Sequence, residues 1–411
     1  MDAATGTQPF DANERRIVHF TGFAHAATHY AELVYPTLAV GLVAQTPGVD
    51  SIEEALSWSF GGYLLFGLGA LPAGFAADRI GGRRVILLGL LVAGISACLA
   101  AASEPGWPLA LALCGIGAGA SLYHPAGTGL LSRAVAARGR ALGINGIYGN
   151  VGIALSPLLT ALLVEGLGWR AAFLVTGAVI LAATLLFSRV RITEPGRAPE
   201  PESPGSGSTS TTRRAVLVFV LLCAAATLGG FAYRGNTVAQ PALFAENISF
   251  MGYGLAASLA MFLGTLGQYA GGRLADRLDL RIGYLAFQAA SLPALVVIAS
   301  ATEWPLLVAA SIYAFFALGM QPIENSLFAA LTPERWRSTA YGLKFVLTFG
   351  VGSSAVWMVR SVAETSGWHA VYSALTGVVV VLVACIGLLF VATRNREIRN
   401  APEPSAEALA R

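Results

Sequence analysis

Charge is what this chain most lacks. Asp, Glu, Lys and Arg supply 12% of its 411 residues, where a soluble domain carries about 25%. A hydrophobic share of 55% goes with that deficit, and together they exclude an ordinary soluble globule. Lysine is nearly absent: Lys344 is the single one, and every other of the 26 Lys and Arg cations is arginine. Cysteine is scarce too. Cys98, Cys114, Cys223 and Cys385 each stand alone in an apolar run, which excludes a thiolate metal site or disulfide framework and fits buried thiols. The first sixteen residues, MDAATGTQPFDANERR, lack the basic start and apolar centre of a cleavable signal, so the first apolar run is expected to be retained. No Gly-x-x-x-x-Gly-Lys loop is present to couple ATP, and no His-Glu-x-x-His, Gly-x-Ser-x-Gly or paired-Asp motif supports a hydrolase.

What is present is a succession of apolar stretches, each long enough to cross a bilayer core as a helix. Taking charges and Pro/Gly clusters as loops predicts twelve spans, near 17–44, 56–78, 83–103, 107–132, 140–165, 169–190, 214–243, 251–275, 280–301, 305–331, 338–362 and 368–393. The expected architecture is an all-α polytopic membrane protein of two six-helix bundles, 17–190 and 214–393. Residues 1–16 and 394–411 are then tails, and the Pro/Ser/Gly/Thr-rich 191–213 is a flexible linker. Arginines cluster in alternate loops (Arg79/Arg83/Arg84, Arg133/Arg140, Arg273/Arg277/Arg281), while the opposite loops hold Asp50, Glu53, Glu54, Glu104, Glu246 and Glu303. The positive-inside rule places both termini and the linker in the cytoplasm, and hence the chain in the inner membrane.

The halves repeat one another. GFAADRIGGRRVIL at 74–87 returns as GRLADRLDLRIGYL at 272–285, its Asp-Arg pair 198 positions later; Gly143 returns as Gly342, and Gly168-Trp169 as Gly367-Trp368. Parallel repeats of this kind place a substrate site near the bilayer midplane where they meet. Here the chain resembles the major facilitator superfamily over its whole length. That family's loop signature is matched at Gly74, Asp78, Arg79, Gly81 and Arg83, with Ala76 for the usual Leu and Gly82 for one basic residue. The second copy keeps Gly272, Leu274, Ala275, Asp276 and Arg277, with Asp279 for the Gly. The glycines allow a tight turn, and the Asp is expected to accept hydrogen bonds from a neighbouring helix N-terminus and pair with arginines, closing a gate in one state. Topological anchoring is the alternative for Arg83 and Arg84.

Span 5, with Gly143, Gly152, Ser156-Pro157 and Thr160-Ala161, is similar to the family's antiporter signature, although side chains stand where that signature has glycines at 156, 160 and 161. HAATHYAELVYPTL in span 1 and SLYHPAGTGLLSRAV after span 4 resemble the fosmidomycin-resistance branch, which implies proton-driven drug export. Leu113 stands about where such exporters carry an arginine.

Ionisable groups inside spans are costly and functional by default. His25, His29 and Glu32 recur at i, i+4 and i+7 and share a helix face that Tyr35 and Pro36 continue. Glu32 is the natural proton-binding carboxylate, with the histidines as relays or anion contacts; a hydrogen-bonded structural stripe is the alternative. A metal reading of the histidine pair lacks a third ligand nearby. Tyr123 and His124 precede the kinking Pro125, and Asn145, Tyr148 and Asn150 line span 5, together a first half-site. In span 7 Tyr233, Asn236, Thr237 and Gln240 fall at helical spacing beside Arg234. At about 1.5 Å per residue Arg234 is expected near the outer face, there to snorkel to water or to bind substrate. Gln321, Glu324 and Asn325 of span 10 meet the depth of Lys344 in span 11, so an ion pair is expected, either a charge-switched gate or a static lock. The implied partners are a small-molecule substrate, protons and lipid for a monomer, with no cofactor, metal or nucleic acid. Proton-coupled efflux by alternating access leads; symport of an organic anion and a non-transporting sensor remain open.

Overall fold

The computed structural model describes residues 10–194, 212–332, 337–394 and 397–399; most of the linker and of both tails falls outside them. Twelve helical runs fill the described chain, at the places hydropathy predicts. They are α1 (Ala12–Gln45), α2 (Ile52–Ser57, Phe60–Leu68 and Ala70–Ile80), α3 (Gly82–Ala102), α4 (Trp107–Ser121 and Tyr123–Ala134), α5 (Arg138–Leu167) and α6 (Trp169–Arg189), then α7 (Thr212–Asn247), α8 (Tyr253–Ala275), α9 (Leu280–Ile298), α10 (Glu303–Gly319 and Gln321–Leu331), α11 (from Arg337 to Ser366) and α12 (Trp368–Ala392). Nine are long and apolar enough to cross a membrane on their own, and α2 makes a tenth, its stretch Ile52–Leu68 bent by 45° from Ala70–Ile80. The other two, α1 and α8, bury polar groups, among them His29, Glu32 and Ser258.

Local chemistry sets the ends. Asp11 accepts the Glu14 amide at 2.7 Å while Glu14 accepts that of Asp11 at 2.9 Å, a capping box that starts α1 at Ala12, earlier than expected. Gly168 and Gly367 adopt φ of 87° and 81°, closing α5 and α11 before Trp169 and Trp368. The breaks at Leu122 in α4 and Met320 in α10 occupy matching positions, each just before a proline. Within α11 regular helix gives way to a π turn at Val346–Gly350 and a 3-10 turn at Val351–Ser354, an irregularity typical of functional hinges.

The halves meet where α5 lies on α8, α2 on α11 and α1 on α7. Ser258 Oγ accepts the Leu158 amide at 2.9 Å, and Arg360 donates to Ser57 at 3.2 Å. Both of these bonds lie toward the helix ends away from the termini. At one point glycine meets glycine: a Cβ added at Gly67 would collide with the Gly350 backbone, so only small residues permit it. Gly67→Leu is therefore expected to part the halves here. With the native cysteines replaced, thiols introduced by Ser57→Cys and Arg360→Cys should crosslink more slowly in that variant; an unchanged rate would mean the contact is dispensable.

Candidate functional site

One face of α1 carries a buried polar group. His29 Nδ1 donates to Glu32 at 2.9 Å, and the other Glu32 oxygen is held by the guanidinium of Arg234, from α7 in the opposite half. Both members of this ion pair are 1% exposed. Tyr63 of α2 lies beneath the guanidinium, 3.6 Å from ring centroid to Cζ, and its hydroxyl donates to the Glu32 carbonyl at 3.3 Å. Of the two roles left open for Arg234, snorkelling to water does not fit this burial. Counting residues along α7 gives depth, but not the covering by α1 and α2. Arg234 Nε and Nη1 have no hydrogen-bond partner among the described residues.

Towards the terminus-bearing side, His25 follows one turn earlier. Its Nδ1 donates to the Asn145 carbonyl at 2.9 Å, and its ring stacks on Tyr123, which accepts from Asn145 Nδ2 at 2.7 Å. His124 joins from the restart of α4, its ring centroid 5.2 Å from those of both His25 and His29. The third imidazole that α1 itself could not offer therefore arrives from another helix. Phe345 and Phe349 of α11 stack on His124 from the opposite half, at 5.5 and 5.9 Å. Buried His25 Nε2 and His124 Nε2 have no partner among the described residues, a condition worth about 1–3 kcal/mol each if unrelieved.

A second cluster lies within the C-terminal half. Lys344 Nζ stands 2.7 Å from Glu324 and donates to Asn325 Oδ1 at 2.5 Å, while Tyr284 donates to the other Glu324 oxygen at 2.6 Å. Between the clusters, Asn150 donates to Gln268 across the halves, and Gln268 donates to Gln321 at 3.3 Å. Gln240 is buried, its Nε2 without a partner among the described residues.

Several expected site residues stand elsewhere. Tyr35 donates to the Ala55 carbonyl at 2.7 Å, so it pins the start of α2 to α1. Tyr148 bonds His19 at 2.9 Å and packs on Phe23, one turn or more from the histidine cluster. Asn236 accepts from Tyr372 at 3.1 Å within the C-terminal half, and the Tyr233 ring centroid lies 5.9 Å from the Arg234 Cζ. Tyr63, Gln268 and Tyr284 were not anticipated. Gln268 left a signal, a polar group in an apolar run; the two tyrosines left none, because tyrosine is common in spans.

The repeated loop also departs from expectation. A side chain added at Gly74 would meet Pro125 as one at Gly272 would meet Pro322, the same neighbour in each half. Asp78 lies 3.7 Å from Arg133 in a half-exposed pair, weak by nature, and the N-terminus of α3 is held instead by Glu194. That carboxylate accepts the amides of Gly82 and Arg83 at 2.9 Å each, next to the Gly81 turn. Arg83 reaches the last turn of α6, donating to the Ser188 carbonyl at 2.7 Å, and Arg79 is exposed. In the second copy Asp276 and Arg277 are exposed, and Asp279 caps α9 through the Arg281 amide at 2.9 Å and pairs with the Arg281 guanidinium. Arg281 then donates to the Thr393 carbonyl at 2.6 Å. Each half thus clasps its last helix with an arginine from this loop.

Comparisons agree with this architecture. A Haemophilus influenzae chain named for metabolite transport is 26% identical over 93% of this chain and 96% of its own length. The Bacillus subtilis methylenomycin A resistance protein is 33% identical and the Acinetobacter baylyi 4-hydroxybenzoate transporter 32% identical, over 35% and 36% of this chain. Those two matches span about a third of the relatives' lengths, 32% and 34%. Among solved structures, a POT family transporter in complex with 5-aminolevulinic acid superposes with a TM-score of 0.74 at 16% identity, covering 92% of this chain and 96% of that one. A bacterial homologue of the lysosomal transporter Spinster, in an inward-facing conformation, gives 0.69 at 16% identity over 95% and 98%. The sequence profile of the Major Facilitator Superfamily matches residues 20–233 and again 220–411, and with two six-helix halves around buried charge the chain belongs to that superfamily of membrane transporters.

Proposed function

We propose that this chain is a secondary active transporter that works by alternating access and exports a small organic compound in exchange for protons. The observation that carries the reading is the Glu32–Arg234 ion pair, buried and made between the halves. Two charges hidden together are tolerable, whereas one left behind in apolar surroundings is not. Rocking the halves apart must therefore hydrate both groups or hand them to a substrate. Residues 17–190 and 214–393 are the two rocking bodies in this reading, with termini and linker cytoplasmic. The inter-half contacts on the far side then close the outer entrance. Glu324 and Lys344 are the proton-responsive pair: protonating Glu324 frees Lys344, and lysine can itself give up a proton where arginine cannot. The loop residues Asp78, Arg79, Arg83, Asp276 and Arg277 tie these changes to the cytoplasmic rim. The likeness of spans 1 and 4 to fosmidomycin-resistance exporters and the methylenomycin A resistance relative support export.

Import of an organic anion is the second reading, favoured by the unpartnered Arg234 donors, which suit carboxylate or phosphonate oxygens. Everted membrane vesicles separate the two. With an acid interior, export predicts that the vesicles accumulate a compound from a panel of drugs and organic acids and release protons as they do so. Symport predicts accumulation only under the opposite gradient. Saturable binding without movement under either gradient would overturn both and favour a sensor.

A further inference from the structure

We propose that His25, His29 and His124 form a binding site for a borderline divalent transition-metal cation of the Zn2+ class. Their ligand nitrogens all lie within 4.8 Å of one another. In a tetrahedral site, nitrogens about 2.0–2.1 Å from one ion stand about 3.4 Å apart, a closure that small imidazole rotations supply.

The second nitrogens of His25 and His29 point the same way. A metal-bound histidine usually donates its second N–H to a carboxylate or a backbone carbonyl, which fixes the tautomer and leaves a lone pair facing the ion. His29 Nδ1 donates to the Glu32 carboxylate and His25 Nδ1 to the Asn145 carbonyl, each at 2.9 Å. Their Nε2 atoms are thereby left as lone-pair donors. His25 Nε2 and His124 Nε2 are moreover buried without any partner among the described residues. A packing role for three clustered imidazoles does not explain that arrangement; a shared cation does. Neutral imidazoles without thiolates suit Zn, Cu, Ni and Co over Mg or Ca. The aromatic wall of Phe66, Phe345 and Phe349 around His124 provides the apolar shell such sites use to control water.

Charge points to what completes the coordination. The carboxylate beside the triad, Glu32, is already shared with Arg234. A dication here carries unbalanced charge, which an anionic ligand in the remaining position would offset. Because Phe345 and Phe349 belong to the opposite half, occupancy at the triad is felt where the halves meet.

The test uses the full-length protein without a histidine tag, purified in detergent and stripped with a chelator. Co2+ is titrated in, its visible bands reporting near-tetrahedral nitrogen coordination, and is then displaced by Zn2+. One saturable equivalent is expected, abolished in His124→Ala and in His25→Gln. It should be weakened about tenfold or more in Glu32→Gln, through loss of the group that orients His29. The two remaining histidines are the control: His19→Ala combined with His369→Ala keeps the equivalent. Gel filtration identifies variants that misfold, and the His25 and His124 variants stand in for one another. Absence of a saturable equivalent in the wild type, its survival in a folded His124→Ala protein, or its loss in the His19/His369 control each overturns the site. Binding is read without any transport, so this result and the fate of the export reading are independent.

Discussion

Arg234→Ala is expected to abolish transport and to destabilise the protein by about 3–5 kcal/mol, the usual penalty for removing one partner of a buried ion pair. The cost comes from the group that remains. Glu32 would keep its contacts to His29 but lose the cation that neutralises it, at a position 1% exposed. The lost side chain also leaves the face of Tyr63 uncovered, 3.6 Å from where the guanidinium sat, adding a packing loss. The double change Glu32→Leu with Arg234→Met separates charge from packing. An apolar pair of similar volume often substitutes for a buried salt bridge at no cost or with a gain. The double variant should therefore regain thermal stability in detergent while remaining inactive in proteoliposomes. A stable Arg234→Ala protein would mean that the charges are hydrated in the membrane and that the pair is not the strap between the halves.

The second large effect is expected at the C-terminal cluster. Glu324→Gln keeps the size and one acceptor, but it removes the charge that Lys344 meets at 2.7 Å and that Tyr284 meets at 2.6 Å. Hydrogen bonds to charged groups contribute about 1.5–3 kcal/mol, so a fall of that order in stability is the lower bound. The functional consequence is sharper. Substrate counterflow, which needs only rocking of the halves, should continue, while movement driven by an imposed proton gradient should cease. Lys344→Arg adds a discriminating control: the charge is kept, yet a guanidinium does not release its proton, so gradient-driven transport should not survive. If Glu324→Gln still responds fully to the gradient, the pair is a static lock and the proton is carried elsewhere.

Some of this site was legible in the residues alone. Glu324 and Lys344 sit in consecutive spans of one half at comparable depth, so their meeting needed little beyond span order and the cost of a lone buried charge. His25, His29 and Glu32 share a face because the helix repeat dictates it. The surroundings of Arg234 stayed open for an equally definite reason: its depth follows from residue count, but whether lipid, water or Tyr63 and Glu32 surrounds it depends on two helices more than 150 positions away in the chain. The same limit applied to His124, whose ring reaches His25 and His29 only because α4 restarts at Tyr123 facing α1. Asp78 looked like the obvious partner for a helix N-terminus, and Glu194, beyond the end of α6, took that role.

By itself the sequence determined the all-helical membrane architecture, the twelve spans and their division into two repeats. Those properties are sums over neighbouring residues: hydropathy along a stretch, glycine at a helix end, a motif recurring at half the chain length. Only the tertiary structure decided that Arg234 crosses to Glu32 and that three histidines converge. Partner choice depends on the rotation and depth of helices brought together from distant parts of the chain, and no local pattern encodes that.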